Sequence, residues 1–175
     1  VDTGFNFIHP VGRFGSNGNR PHRSSSESLA GLDDSYPNQE HMKIQPRTVE
    51  ILKRIGAGGN FTDIPEDDPF YVKGMISHVY RRLDPQKPSM TLIAGGGGGT
   101  WGYHFPEPRA LTNRERARLQ GFPDDFVFEG TFGEVRRQIG NAVPPVGVIE
   151  IVNRLSKLYL GEFKKQDLAH LYDFM

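Results

Sequence analysis

The 175 residues include no cysteine, which excludes disulfides, Cys-ligated zinc and a thiol nucleophile. Apolar residues make up 36%, while glycine (21) and proline (13) are abundant, so a loop-rich fold with a modest core and some apolar surface left for a partner is predicted. The formal net charge is zero, so the total charge does not point to nucleic acid, and no apolar run reaches the ~18 residues of a membrane span. No signal-peptide pattern opens the chain, so a cytoplasmic location is expected. Residue 1 is Val rather than Met, which predicts an unusual start or a chain that continues upstream.

Residues 1–40 carry the stretch GRFGSNGNRPHRSSSES, with no period of 3.6 or 2, and read as a flexible linker or loop. Pro46 can open a short helix through Ile55, with Val49, Ile51, Leu52 and Ile55 apolar and Gly56, Gly58 and Gly59 stopping it. The stretch from Asn60 to Pro69 is acidic and turn-rich. Two strands are predicted next, His78 to Leu83 and Ser89 to Ala94. In the second, Met90, Leu92 and Ala94 share one face and Thr91 and Ile93 the other. Asp84-Pro85 and Lys87-Pro88 separate the two strands, and the second runs into five glycines, Gly95 to Gly99.

From Leu111 the pattern turns helical. Thr112 and Glu115 fit a capping box, and Gly121 and Pro123 end that helix. Thr131 and Glu134 repeat the box, with Gly140 as the expected stop. A third helix runs from Pro145 to Leu160, with Val148, Ile151, Val152, Leu155 and Tyr159 on one stripe and Gly161 closing it.

The charge distribution is uneven. Between Lys73 and Arg118 stand eight basic residues (Lys73, Arg81, Arg82, Lys87, Arg109, Arg114, Arg116, Arg118) against three acids. Such a field can dock phosphate, or it can be a solvated face. The five-glycine run is not a nucleotide P-loop, because Thr100-Trp101 follows where Gly-Lys-Ser or Gly-Lys-Thr is required. It reads as a flexible turn or as a backbone surface entering a DNA groove beside Arg81 and Arg82. The six histidines are scattered and neither HExxH nor GxSxG occurs, so no metal site is predicted. Asp124-Asp125, after Gly-Phe-Pro, reads as an Asx-type turn.

Two strings carry more. Residues 109–126 read RALTNRERARLQGFPDDF and residues 138–145 read QIGNAVPP. In this order they resemble the ninth and tenth motif blocks of the cytosine-5 DNA methyltransferases. YRRLDPQKPSMTLIAGGGGG, residues 80–99, is similar to the second half of that family's target-recognition region, and RIGAGGNFTDIPED to a stretch some members carry there.

The resemblance implies an α+β fold. A small irregular β-rich target-recognition region (41–108) would precede a C-terminal helical region (109–175). Those helices would pack on a missing α/β Rossmann-like, S-adenosylmethionine-dependent methyltransferase domain. The implied partners are double-stranded DNA and a catalytic half, either a separate subunit or a missing N-terminal part. Implied DNA contacts are Arg81, Arg82, Thr91, Gly95, Gly96 and Gly97. Gly140, Asn141, Ala142 and Val143 would help form the S-adenosylmethionine pocket, although members often have Ser at the place of Ala142. Arg114, Glu115, Gln120 and Gln138 would be structural.

No catalytic residue is implied within this chain. The family's thiolate adds to carbon 6 of the base and makes carbon 5 nucleophilic, and no Cys is present to do so. The implied function is the DNA-recognising, pocket-completing portion of a DNA (cytosine-5-)-methyltransferase of a restriction-modification system. The alternative is a non-catalytic DNA-binding module or a truncated inactive fragment.

Overall fold

The computed structural model describes Gly15, Gly18 and residues 20–73, 79–95 and 102–160. Its regular elements are α1 (Ser25–Leu29), α2 (Pro46–Arg54), α3 (Asn113–Gln120), α4 (Phe132–Asn141) and α5 (Pro145–Tyr159), with one 3-10 turn at Phe61–Asp63. Among the described residues there is no β-strand. Two isolated bridges join Tyr103 to Arg82 and to Ala110. The expected α+β architecture with a β-rich recognition region is therefore wrong: the regular structure described is helical.

Two local causes account for the missing strands. In the first predicted strand, Tyr80 adopts φ 53°, which interrupts an extended run. Just after it, the Arg82 N–H donates to Gly59 O (2.9 Å) and the Leu83 N–H to Tyr103 O (2.9 Å). Neighbouring residues pair with different segments, so no ladder propagates. In the second, Leu92 is buried while Thr91 and Ile93 are exposed, so the alternation is real. Yet among the described residues no backbone hydrogen bond joins 89–95 to another segment. The pattern reported burial without pairing.

The helices follow their caps. Thr112 and Glu115 form both halves of a capping box at α3, and Gly121 closes that helix at φ 89°. Thr131 and Glu134 repeat the box at α4. That helix continues through Asn141 to a C-cap at Ala142, so Gly140 lies inside it rather than stopping it. The helix opened by Pro46 and the one opened by Pro145 begin where expected. Gly161 lies outside the described residues.

Helix α1 was not anticipated. Ser24 and Glu27 cap it reciprocally. The Ser25 hydroxyl donates to Lys87 O (2.9 Å) and the Ser26 hydroxyl to Pro85 O (2.7 Å). The serine run thus binds the Asp84–Pro88 turn, and Leu29 packs with Leu83 and Leu111.

Helices α3 and α4 bury Ala117, Phe128, Val135 and Ile139, with Phe122 against them. A fully buried side chain of this size stabilises by roughly 1.5–3 kcal/mol. A second core forms where Ile51 and Ile55 meet Ile64. By contrast, α5 leaves Ile149 (55%), Val152 (50%) and Leu155 (47%) exposed.

Candidate functional site

Most of the basic field belongs to the fold. Arg82 is 7% exposed. Its guanidinium donates to the carbonyls of His104 (3.0 Å), Leu52 (3.0 Å), Ile55 (2.6 Å), Phe105 and Glu107. A guanidinium has five N–H donors, so none is left over for a base or a phosphate. Burial pulls its pKa below the usual arginine value. Arg81 is different: it is half-buried and reaches the Met90 sulfur at 3.7 Å. Lys87 pairs with Asp84 and Arg118 with Asp124, at 3.0 and 2.6 Å.

Arg114 is also buried, at 0% exposure. It donates to Pro37 O (2.8 Å), Pro123 O (3.1 Å) and Phe126 O, tying the segment before α2 and the turn after α3 to the helix. Arg118, one turn on, shares none of these partners and forks onto Asp124 instead. Glu115 accepts from the Thr112 N–H (2.8 Å) and holds Arg109 through two hydrogen bonds, at 2.9 and 2.7 Å. Burial opposes the charge on Arg109, but Glu115 and Glu107 outweigh it and raise its pKa. Arg114 and Glu115, for which structural roles are expected, thus make these contacts within the chain.

The two motif strings meet at one place. Gln120 Nε2 donates to Ala142 O (2.8 Å) and Ile139 O (3.3 Å), so the end of α3 holds the end of α4. Gln138 Nε2 donates to Glu129 O (2.9 Å). A cleft of about 660 Å³ opens at this junction, lined by Thr91, Leu92, Arg118, Gln120, Gly140 and Ala142 among others. It brings Thr91 beside two of the predicted cofactor residues. Gly95 is exposed nearby, whereas Gly96 and Gly97 lie outside the described residues.

Sequence reasoning missed Arg116. It is 1% exposed, and its Nη2 donates to Ile93 O at 2.8 Å. Burial, helped by the charge of Arg136, pushes its pKa down to about 10. Only its place in a run of charges marked it, and that run read as a surface.

The family model for C-5 cytosine-specific DNA methylases matches residues 16–157. The chain belongs to that family. It is 55% identical over 171 residues to the type II methyltransferase M.NgoFVII of Neisseria gonorrhoeae, covering 96% of this chain and 46% of that protein. It is 48% identical over 141 residues to the type II methyltransferase M.BbvI of Brevibacillus brevis, covering 79% of this chain and 38% of that protein. The chain therefore spans less than half the length of these relatives. A solved structure of a DNA modification methyltransferase encoded within an E. coli prophage shares the fold. Its TM-score is 0.53 at 21% identity, over 82% of this chain and 49% of that one.

Membership of the cytosine-5 methylase family implies S-adenosylmethionine as methyl donor, for which Gly140, Asn141, Ala142 and Val143 are the expected contacts. The Ala142 N–H is spent on Gln138 O and Ile139 O, and its carbonyl on Gln120. A side chain at Gly140 would meet backbone. Asn141 and Val143 are exposed rather than enclosed. These four residues do not make a cofactor site by themselves; Asn141 alone offers a polar side chain. The nucleophile is absent as well, because the family's thiolate chemistry has no cysteine here to act through. Among the described residues there is no cluster of three metal-ligating side chains and no helix long and apolar enough to cross a membrane.

Proposed function

We propose that this chain is a DNA-recognising segment of a cytosine-5 DNA methyltransferase of a restriction-modification system, inactive until joined to a catalytic half. One observation carries the reading. The sequence matches the family over residues 16–157 yet holds no cysteine and spans less than half of its relatives. For the chain by itself this favours the alternative, a non-catalytic DNA-binding module or truncated inactive fragment, over a portion that completes the cofactor pocket.

Recognition falls to the exposed segment around Thr91 and Gly95, continuing into Gly96 and Gly97, with Arg81 supplying the cation. Arg82 is replaced in that role by its neighbour, since its donors are spent on carbonyls. Backbone groups unshielded by side chains can approach base edges closely. Rotating the target cytosine out of the duplex costs a few kcal/mol, which contacts of this kind would offset.

The catalytic half would seat on α5. Its exposed Ile149, Val152 and Leu155 form an apolar face of the sort a partner covers. The second reading, that the chain also completes the S-adenosylmethionine pocket, rests on Asn141, exposed at the end of α4 beside the cleft.

The test is to mix this chain with a polypeptide carrying the first eight motif blocks, and to follow labelled methyl transfer from S-adenosylmethionine to duplex DNA. Transfer is expected in the mixture and from neither part alone. A mixture as inert as its parts would overturn the proposal.

A further inference from the structure

Three consecutive residues of the proposed recognition segment are held from different sides. Leu92 is 9% exposed, turned into the interior. The carbonyl of Ile93 accepts from Arg116 Nη2 of α3 at 2.8 Å. Ala94 lies against Gly140 of α4: a Cβ there would collide with the Ala94 N and Cα, and would stand 2.8 Å from the Ile93 carbonyl carbon. Those are backbone atoms, so the obstruction cannot be relieved by a rotamer change. On either side of this grip, Thr91 and Gly95 are exposed.

We propose that Arg116 and Gly140 are positioning residues for DNA recognition, fixing the point and direction at which the segment leaves the α3–α4 pair at Gly95. The proposal rests on the recognition reading above. Neither residue touches DNA in it. Arg116 is too deeply buried to reach a phosphate, and Gly140 acts by having no side chain. The grip replaces the strand pairing that this segment lacks: one guanidinium and one close backbone approach do what a ladder would do. A flexible exit would have to be ordered when DNA binds, and ordering backbone costs free energy at that step.

Backbone NMR relaxation and duplex binding by the 175-residue chain separate the outcomes. The probe is a pool of short random-sequence duplexes, titrated at several salt concentrations. Arg116→Gln and Gly140→Ala are each expected to lower the order parameters of the 92–95 backbone and to weaken binding about fivefold. The slope of log Kd against log salt is expected to stay as in the unsubstituted chain, because no phosphate contact is lost. A slope lower by about one for Arg116→Gln would mean that Arg116 meets a phosphate, and would overturn the proposal. So would unchanged order parameters at 92–95 in both variants.

Lowered order with unchanged binding would keep the grip and overturn its role in recognition. No binding by any form would instead sink the recognition reading, and the functional half of this inference with it. One measurement is independent of how the variants fold. In the unsubstituted chain, magnetisation should pass between the Arg116 guanidinium protons and the Ile93–Ala94 backbone, and its absence would also overturn the proposal.

Discussion

The Arg109 guanidinium forks onto the Glu115 carboxylate, with Nη1 2.9 Å from Oε2 and Nη2 2.7 Å from Oε1. The Glu115 side chain is 4% exposed and also accepts from the Thr112 N–H. One carboxylate therefore caps α3 and neutralises a half-buried cation. Glu115→Ala is expected to destabilise the chain by about 3 kcal/mol, the cost of leaving a paired charge without its partner plus a lost cap. Urea denaturation checks this. Arg109→Ala combined with it should cost less than the two changes summed, and full additivity would deny the coupling.

Arg81 and Arg82 stand side by side in the sequence and have opposite fates. Arg82→Met is expected to destabilise by about 3 kcal/mol, since it strips donors from several buried carbonyls. The salt dependence of duplex binding by the folded fraction should not change. Arg81→Gln is expected to leave stability within about 0.5 kcal/mol and to lower the salt slope by about 1. Denaturation and salt-titrated binding on both variants decide the matter. The reverse pattern would return Arg82 to the DNA.

That pair also shows what the sequence could reveal. The capping boxes at Thr112 and Thr131 were readable because their partners lie three residues away. The start at Pro46 was readable for the same local reason. A third box, Ser24 with Glu27, has the same spacing, but its glycine- and serine-rich surroundings masked it. Strand pairing and the burial of arginine depend on residues distant in the chain. Arg82 finds carbonyls 22 to 30 positions away, so adjacency to Arg81 misled. The Met90–Ala94 alternation registered which side chains are buried, not what the backbone pairs with.

Gly121 ends α3 in the left-handed region at φ 89°, and a Cβ there would stand 3.1 Å from Val146 Cγ2. Gly121→Ala is expected to cost about 1 kcal/mol from backbone strain, with more if Val146 cannot move. Since Val146 lies in the first turn of α5, the same change should loosen that helix. Loss of helical circular dichroism at a lower temperature checks it. An unshifted melt would mean that α5 does not lean on this cap.

Val152 and Leu155 are exposed on α5, at 50% and 47%. Val152→Asp with Leu155→Asp is expected to change the stability of the lone chain by under about 1 kcal/mol. The same pair should abolish methyl transfer in a mixture with a catalytic half, and reduce self-association of the lone chain. Sedimentation and the mixing assay read these separately. Full activity in the mixture would place the docking face elsewhere.

His104 makes stability sensitive to mild acid. The residue is 8% exposed and its ring stacks on Phe105, with centroids 5.0 Å apart. Nδ1 lies 3.6 Å from Glu107 and Nε2 3.7 Å from Glu115, both too far for a hydrogen bond. Burial, then the charge of Arg109, lowers its pKa below the ordinary 6.5, against the pull of Glu115 and Glu107, with Arg82 adding to the lowering. The unfolded chain therefore takes up this proton at a pH where the folded chain does not. Stability is full above about pH 6.5 and falls as pH drops below it, until the folded ring also protonates. Asp124 and Glu134, whose pKa values are lowered by their hydrogen-bond partners, add their own losses only as pH falls below the ordinary 3.8 and 4.5. His104→Phe keeps the stacking ring and removes the proton site. It is expected to flatten the stability profile between about pH 7.5 and about pH 5.5, measured by urea titration at each pH. An equal slope in both proteins would assign the acid sensitivity to the carboxylates alone.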